Sequence, residues 1–330
     1  MSKTINWGIL GLGNIANNFA HDLILMPNGK LHGVASRSLD KAKQFSQKYS
    51  ATRYYGSYEE LAKDPEIDVV YIATPHVFHF ENTMMCLQEG KSVLCEKPLG
   101  VNTNEVKIMI EEASSRNLFL MEALWTRFIP STEKLLGLIK SKIIGDVKFM
   151  RADFGFKGDT NPNGRLFNRS LGGGSLLDIG IYPIYLSLLT LGIPNDIKAM
   201  ARISNTQVDS YCAMLFDYNN SEKAVLESTF EAETPTEAII YGDKGAIKMH
   251  SPFHHSKRLS IWQNKELNKI IDIAYKGNGL YHEIEEVTHC LLKGKTESSK
   301  MTHKDSLDLI TLMDKINQQI GLSFDTLKSK

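Results

Sequence analysis

Cysteine is scarce in this chain, and the few cysteines lie far apart. Cys86, Cys95, Cys212 and Cys290 form no C-x-x-C pair, so neither a zinc site nor a dithiol redox pair is indicated. An excess of charge of one sign is also lacking, because 38 Lys and Arg residues balance 38 Asp and Glu residues. A formal net charge of zero argues against a large basic face for nucleic acid and against an electrostatic membrane anchor.

Long uninterrupted apolar runs are missing as well. The longest apolar stretch, residues 176–193, contains Asp178 and Pro183, which predicts a buried helix and not a membrane span. The N-terminus enters a strand without the basic and then apolar regions of a secretion signal. With 42% apolar and 23% charged residues over 330 positions, the composition is that of a soluble two-domain protein. Free thiols in its interior indicate a cytoplasmic location.

A glycine-rich loop follows the first predicted strand. Residues 5–10 form a short apolar run that leads directly into G-L-G-N-I-A, residues 11–16, and then into a helical pattern. In this G-x-G-x-x-A pattern Gly11 makes the tight turn, and Gly13 lets the backbone approach a pyrophosphate that the helix start attracts. The order strand, loop, helix predicts a dinucleotide site, although S-adenosylmethionine enzymes use a similar loop.

The end of the second predicted strand carries basic and hydroxyl side chains in place of an acid. A NAD enzyme usually has Asp or Glu there, whereas this chain has Ser36 and Arg37, with Lys41 one turn further on. A guanidinium and hydroxyl groups would hold a ribose 2′-phosphate, which a carboxylate would repel. We therefore expect NADP(H) to be favoured, with NAD(H) possible. The missing acid also counts against a methyltransferase.

Strands and helices alternate through the first part of the chain, which predicts a doubly wound parallel sheet. In such a sheet ligands bind at the carboxyl ends of the strands. Thr74 and Pro75 follow one strand, and Glu96 and Lys97 end the strand that starts at Ser92. The proline after Lys97 favours an extended backbone at the lysine. Lys97 is therefore predicted to lie in the ligand crevice, where a lysine can do chemistry.

Two kinds of site are not predicted. His76 and His79 stand three residues apart, but no third ligand of suitable spacing accompanies them, so no metal site is expected. Gly172–Gly174 lack the G-x-x-x-x-G-K-[ST] pattern of a phosphate loop, which argues against binding of a nucleoside triphosphate.

The pattern changes from about Phe128, where a helix runs to about Ser141, and after Gly145 short alternating strands linked by turns dominate. This predicts an α+β domain with a large, mainly antiparallel, open sheet. We accordingly divide the chain into a Rossmann domain, residues 1–123, and a substrate-binding and dimerisation domain, residues 124–330. A long helix near residues 175–191 interrupts the strands, and on it Asp178 and Tyr182, four residues apart, share a face.

These segments together resemble the Gfo/Idh/MocA oxidoreductases, and the order of the motifs is that of the family. The matching segments are G-L-G-N-I-A (11–16), A-T-P-H-V-F-H (73–79), E-K-P-L (96–99), M-E-A-L-W-T-R-F-I-P (121–130) and G-G-G-S-L-L-D-I-G-I-Y-P (172–183). The last two look like the branch of the family that includes dihydrodiol dehydrogenases and NADP-dependent xylose dehydrogenases. Many other members carry His where this chain has Tyr182.

The resemblance implies reversible hydride transfer between NADP(H) and a carbinol or carbonyl carbon of a sugar, polyol or dihydrodiol. It implies that Lys97 is the active-site lysine, Tyr182 the acid/base and Asp178 its neighbour. The expected cofactor contacts are Gly11, Gly13, Asn14, Ile15, Ser36, Arg37, Lys41, Thr74, Pro75, His79, Glu96, Lys97, Trp125 and Arg127. The expected substrate contacts are Lys97, Trp125, Phe128, Phe154, Asp178 and Tyr182.

The resemblance also implies that the Lys97–Pro98 peptide is cis and that the open face of the C-terminal sheet forms a homodimer, since a large uncovered face needs a partner. A small-molecule substrate is expected, with no nucleic-acid or membrane partner. A catalytically inactive NADP-binding regulator is the alternative. Such proteins lose the lysine or the acid/base, whereas this chain keeps Lys97 and Tyr182. Which of the two takes the proton is left open.

Overall fold

The chain forms two compact units in the computed structural model, which describes residues 3–324. The first unit holds the residues up to Phe128 together with Lys276–Leu307, and the second holds Ile129–Tyr275 and the residues from Asp308 on. This division differs from the sequence-based boundary at 123/124, because residues 276–307 pack with the first unit. Such packing depends on contacts between distant parts of the chain, which hydrophobic periodicity does not report.

The first unit is built on a six-stranded parallel sheet. Its strands are β1 (Ile5–Leu10), β2 (Gly29–Ala35), β3 (Arg53–Tyr55), β4 (Val69–Ile72), β5 (Ser92–Glu96) and β6 (Leu120–Ala123). Its helices include α1 (Asn14–Ile24), α2 (Leu39–Tyr49), α3 (Tyr58–Ala62), α4 (His79–Gln88) and α5 (Thr103–Ser115). The strand order β3-β2-β1-β4-β5-β6, parallel throughout, confirms the predicted doubly wound domain.

The second unit is built on an eight-stranded sheet. Its strands are β7 (Val147–Gly155), β8 (Asp196–Ile203), β9 (Asp209–Asp217), β10 (Lys223–Thr229), β11 (Ala238–Gly242), β12 (Gly245–Met249), β13 (Arg258–Gln263) and β14 (Glu266–Asp272). Its helices include α6 (Pro130–Lys140) and α7 (Ile181–Leu191). The order is β14-β13-β12-β11-β7-β10-β9-β8, and only the β7–β10 pair among these strands is parallel. The prediction of a mainly antiparallel sheet is confirmed.

Two further helices follow the large sheet, α8 (Tyr281–Leu292) and α9 (His303–Gln319). Helix α8 packs on α1 and β1 in the first unit. Its start is fixed by Asp22 of α1, whose carboxylate accepts the N–H groups of Asn278 (2.8 Å) and Tyr281 (3.0 Å). The returning segment therefore covers the helix that follows the glycine loop.

The apolar stretch around α7 is a core helix. Residues Arg169–Leu191 are long and apolar enough to cross a membrane, but 78% of the apolar 18-residue stretch within them is buried inside the protein. Every residue from Leu176 to Ser187 is buried. The helix is therefore apolar on all sides because protein surrounds it.

Candidate active site

The glycine loop leaves space for an anion at the start of α1. Gly11 has φ +88°, and a Cβ there would lie 2.8 Å from the carbonyl oxygen of Ala73, so this turn requires glycine. A Cβ at Gly13 would meet no atom within 4 Å, and within residues 3–324 no side chain caps α1. Asn14 and Ile15 open the helix, and Asn14 is exposed. Free N–H groups and the helix dipole at this point fit a pyrophosphate.

The basic side chains after β2 are exposed beyond its carboxyl end. Ser36 is buried and its hydroxyl accepts the N–H of Ser38 at 3.2 Å. Ser38 is the N-cap of α2 and accepts the N–H of Lys41 at 3.4 Å. Arg37 and Lys41 are exposed. Burial raises the pKa of Tyr58, and the charge of Arg37 acts in the opposite direction.

Lys97 follows β5, at the carboxyl end of the parallel sheet. The Lys97–Pro98 peptide is cis, as the resemblance implied. The Lys97 N–H donates to Glu96 Oε2 at 3.2 Å, and the Tyr71 hydroxyl donates to Glu96 Oε1. Tyr71 is fully buried and stacks on Phe19 with 3.6 Å between ring centroids. Burial, and then the Glu96 charge, raise the pKa of Tyr71 well above its usual value, so Tyr71 remains a donor.

His79 connects two strand ends. Its buried ring places Nδ1 2.7 Å from the Pro98 carbonyl oxygen and Nε2 2.8 Å from that of Thr74. Burial lowers the pKa of His79, although the two carbonyls oppose the shift. A neutral ring donates to only one of these carbonyls at a time. Asn82 donates to the Thr74 hydroxyl at 3.1 Å, so the Thr74–Pro75 strand end is held from two sides.

Glu122 is a buried carboxyl that the sequence analysis did not single out. It lies in β6 and its Oε1 accepts the N–H of Leu99 at 2.9 Å. Burial raises the pKa of Glu122 to about 7, although bonds from Ser306 and Leu99 act in the opposite direction. No sequence signal could have found this contact, because its partners are distant along the chain.

A short 3₁₀ helix, Trp125–Arg127, follows β6. Trp125 is partly buried, and Phe128 is buried with 4% of its surface exposed. The Arg127 guanidinium donates from Nε to the carbonyl oxygen of Lys300 at 2.9 Å. The returning segment therefore holds Arg127, a contact that the motif M-E-A-L-W-T-R-F did not predict.

In the second unit, the helix that carries Asp178 begins with a wide turn. Residues Leu176–Gly180 form a π-helical turn that continues into α7. Asp178 is buried, and its carboxylate lies 2.8 Å from a guanidinium nitrogen of Arg165, whose side chain is half exposed. Single π turns inside α-helices are frequent at functional sites. The structure thus pairs Asp178 with an arginine that the sequence analysis had not included.

Tyr182 lies in a cluster of rings. It is buried, with its ring 5.6 Å from Phe154 and 4.9 Å from His254 between centroids. Phe154 stacks on His254 at 4.4 Å. Phe154 was expected at the site, whereas His254 was missed because it follows a short turn without any periodic pattern. Two rings, those of Phe154 and His254, therefore pack beside Tyr182.

Asp209 fixes the start of the same helix. One of its carboxylate oxygens accepts the Ser175 hydroxyl at 2.6 Å and the Leu176 N–H at 2.7 Å. Burial raises the pKa of Asp209 to about 6 against these bonds. Gly174 has φ +119°, and a Cβ there would lie 2.4 Å from Asp209 Oδ1. The glycines before the helix therefore allow Asp209 to reach the backbone.

The parallel sheet, the glycine loop and the lysine at a strand end define an NAD(P)-dependent oxidoreductase. Residues 5–124 match the NAD-binding Rossmann fold of the Gfo/Idh/MocA oxidoreductase family, and residues 132–248 match the C-terminal domain of that family. The chain belongs to the Gfo/Idh/MocA family, as its motifs indicated, and it is a dehydrogenase that acts on CH–OH groups.

Relatives cover almost the whole chain. Trans-1,2-dihydrobenzene-1,2-diol dehydrogenase of Xenopus laevis is 40% identical over 330 residues, 96% of this chain and 98% of that protein. The Homo sapiens enzyme of the same name is 36% identical over 97% of this chain and 98% of its own length. The structure of KijD10, a 3-ketoreductase from Actinomadura kijaniata in complex with NADP and TDP-benzene, superposes with a TM-score of 0.86 at 24% identity, covering 96% of this chain and 98% of that one.

Proposed function

We propose that this enzyme transfers hydride reversibly between NADP(H) and the carbinol carbon of a dihydrodiol, a sugar or a polyol. The observation that carries the proposal is Lys97, held by Glu96 at the carboxyl end of β5 in the same unit as the glycine loop. The names of relatives that are 36% and 40% identical support a vicinal diol as the substrate class.

The protein's own groups would handle the proton of this reaction. When bound, the nicotinamide supplies or accepts the hydride. Oxidation of a carbinol also releases the hydroxyl proton, and reduction returns it; we assign this task to Tyr182. A free tyrosine, with a pKa of about 10, is poorly matched to neutral pH. A nearby positive charge favours the phenolate and so lowers the pKa of the tyrosine. The Lys97 ammonium, bound to the same substrate oxygen, would supply that charge.

The remaining site residues would bind and orient the substrate. Asp178, paired with Arg165 at 2.8 Å, offers a carboxylate to the substrate hydroxyl groups. Phe154, Trp125 and Phe128 offer apolar surface to a ring. Orientation of this kind contributes by holding the reacting carbon in place.

NADP preference is proposed from the end of β2. Arg37 and Lys41 are exposed there, and Ser36 lies beside them. Charge-assisted hydrogen bonds from a guanidinium suit a 2′-phosphate. The ribose 2′-hydroxyl of NAD lacks the charge that makes these bonds strong.

A substrate panel tests the proposal. The purified protein is assayed with trans-1,2-dihydrobenzene-1,2-diol, pentoses and hexoses plus NADP⁺, and with dicarbonyls plus NADPH, each also with NAD(H). Lys97→Met provides the matched inactive control. We expect turnover of at least one diol or sugar with NADP⁺. Tight NADPH binding without turnover of any substrate would instead support the inactive regulator.

We also propose a homodimer formed through the exposed face of the eight-stranded sheet. Met200, Leu215, Val225 and Phe149 are 79%, 46%, 40% and 38% exposed on neighbouring strands. Leu215 pairs with Val225 across β9 and β10, so these side chains lie on one face. Apolar patches of this kind mark interfaces, and a second copy offers the same patch in a two-fold contact.

The dimer proposal is tested by light scattering at micromolar concentration. The double variant Met200→Glu, Leu215→Glu should be monomeric, because a dimer would bury the new carboxylates of each copy against the apolar patch of the other copy. Ile24→Glu is the control, since Ile24 is 58% exposed in the first unit. A monomeric wild type would contradict the proposal.

A cytoplasmic location is proposed from the thiols. All four cysteines are free and buried, as in proteins of reducing compartments. Cell fractionation checks it, and recovery from an oxidising compartment would refute it.

A further inference from the structure

Three ionisable side chains hold three consecutive residues of one turn. The Lys97 N–H donates to Glu96 (3.2 Å), and the Leu99 N–H donates to Glu122 (2.9 Å). Between them, the Pro98 carbonyl oxygen lies 2.7 Å from Nδ1 of the His79 ring. These side chains come from the end of β5, the start of α4 and β6. Side chains therefore bind the backbone groups of the turn that carries Lys97. In a regular strand or helix these groups would bind other backbone groups.

Two of these side chains are carboxyls, Glu96 and Glu122, and Glu122 is the more deeply buried. Only 2% of its surface is exposed, and its Oε2 has no partner among residues 3–324. Burying a carboxyl in this way costs free energy, which a bond to a backbone N–H offsets only in part. The N–H of Leu99 is the backbone group that this buried carboxyl binds, at 2.9 Å.

We propose that Glu122 is a positioning residue for Lys97, acting through the Leu99 peptide group. The inference rests on the proposed role of Lys97. Because the peptide groups of residues 97–99 are planar and directly linked, release of the Leu99 N–H lets the turn rotate and moves the lysine. A small displacement of a catalytic group is enough to reduce the rate strongly.

The charged groups around Glu122 influence its pKa, so the state of the carboxyl that binds the Leu99 N–H depends on pH. On β5, Cys95 pairs in register with Glu122, and the Glu96 charge raises the pKa of Glu122 further. Lys97 and the Ser306 hydroxyl of α9 lower it. With a pKa of about 7, Glu122 changes charge near neutral pH. The kcat profile should contain an ionisation near pH 7 that belongs to Glu122.

The test compares two hydrogen bonds from a backbone N–H to a buried glutamate, that of Leu99 to Glu122 and that of Val101 to Glu105. Glu105 is 4% exposed and accepts the N–H of Val101 at 3.1 Å, so Glu105→Ala is the matched control. With NADP⁺ and the fastest substrate of the panel, Glu122→Ala should lower kcat by about 10- to 100-fold, with NADPH affinity nearly unchanged. Glu122→Gln keeps an acceptor for Leu99 but cannot ionise, so its kcat should equal that of the wild type with Glu122 protonated, below pH 7, and should lack the ionisation near pH 7.

Equal kcat values for Glu122→Ala and Glu105→Ala would overturn the inference. If Glu122→Ala does not fold, an unchanged kcat–pH profile of Glu122→Gln overturns it instead. Lys97→Met is measured alongside. Full activity of Lys97→Met would refute the catalytic role of Lys97 on which this inference rests, whereas an inactive Lys97→Met with normal Glu122 variants would refute only the positioning role.

Discussion

Replacing Glu122 by glutamine should change how the stability of the first unit depends on pH. Glu122 is 2% exposed, and burial raises its pKa from 4.5 to about 7. Glutamine has nearly the same shape and keeps an oxygen that can accept the Leu99 N–H. The substitution therefore removes the titration and leaves the packing almost unchanged.

The folded protein holds a proton at Glu122 over a pH range in which the unfolded chain has released it. Stability from this group is fully present below about pH 4.5, falls as the pH rises, and is constant above about 7. The difference of 2.5 in pKa (7 − 4.5) corresponds to about 3 kcal/mol at about 1.4 kcal/mol for each pH decade. Glutamine releases no proton, so Glu122→Gln should gain about 2 to 3 kcal/mol relative to wild type between pH 5 and 8.

Urea unfolding at pH 5, 6, 7 and 8 measures this difference. Trp262→Phe in both proteins leaves Trp7 and Trp125, in the first unit, as the fluorescence reporters. The free energies of unfolding should be similar at pH 5 and diverge toward pH 8, with Glu122→Gln the more stable. Curves that run parallel from pH 5 to 8 would refute the argument, because Glu122 would then already be ionised in the folded state at pH 5, as it is in the unfolded chain.

Two further predictions concern the proposed site. Arg37→Asp should weaken NADP⁺ binding by at least about 10-fold and NAD⁺ binding much less in fluorescence titrations, with Lys43→Asp on α2 as the control; tighter NAD⁺ binding by the wild type would contradict NADP preference. Lys97→Met and Tyr182→Phe should each lower kcat by about 10²- to 10⁴-fold while NADPH still binds, and the double variant should lose little more than the worse single one, since both would serve one proton transfer. Near wild-type kcat of Lys97→Met would make Lys97 only a turn residue.

The elements of the first unit could be predicted because each has a local signature. Buried strands of a parallel sheet appear as short apolar runs, since both faces are covered, and residues 5–10 form β1 as expected. The glycine loop is recognisable because Gly11 must adopt positive φ at a fixed distance from the strand.

The partners of the site residues could not be predicted, because they are set by contacts between distant segments. Arg165 reaches Asp178 from an irregular loop, and His254 reaches Tyr182 from a turn between strands. Neither residue stands in a periodic pattern. The return of residues 276–307 to the first unit escaped for the same reason, since α8 is an ordinary amphipathic helix whose sequence does not say which sheet it covers.

Asp209 and Glu122 show why buried carboxyls occur beside the proposed catalytic residues. Each accepts a backbone N–H where the chain leaves regular structure. Asp209 accepts that of Leu176, which starts the wide turn containing Asp178, and Glu122 accepts that of Leu99 in the turn after Lys97. Within residues 3–324 no backbone carbonyl is bonded to these N–H groups, and an apolar side chain would leave them unsatisfied at about 1 to 3 kcal/mol each. A carboxyl satisfies them, but burial raises its pKa to about 6 for Asp209 and about 7 for Glu122. Irregular backbone at both places is therefore maintained at a cost in stability that grows as the pH rises from about 4 to about 7.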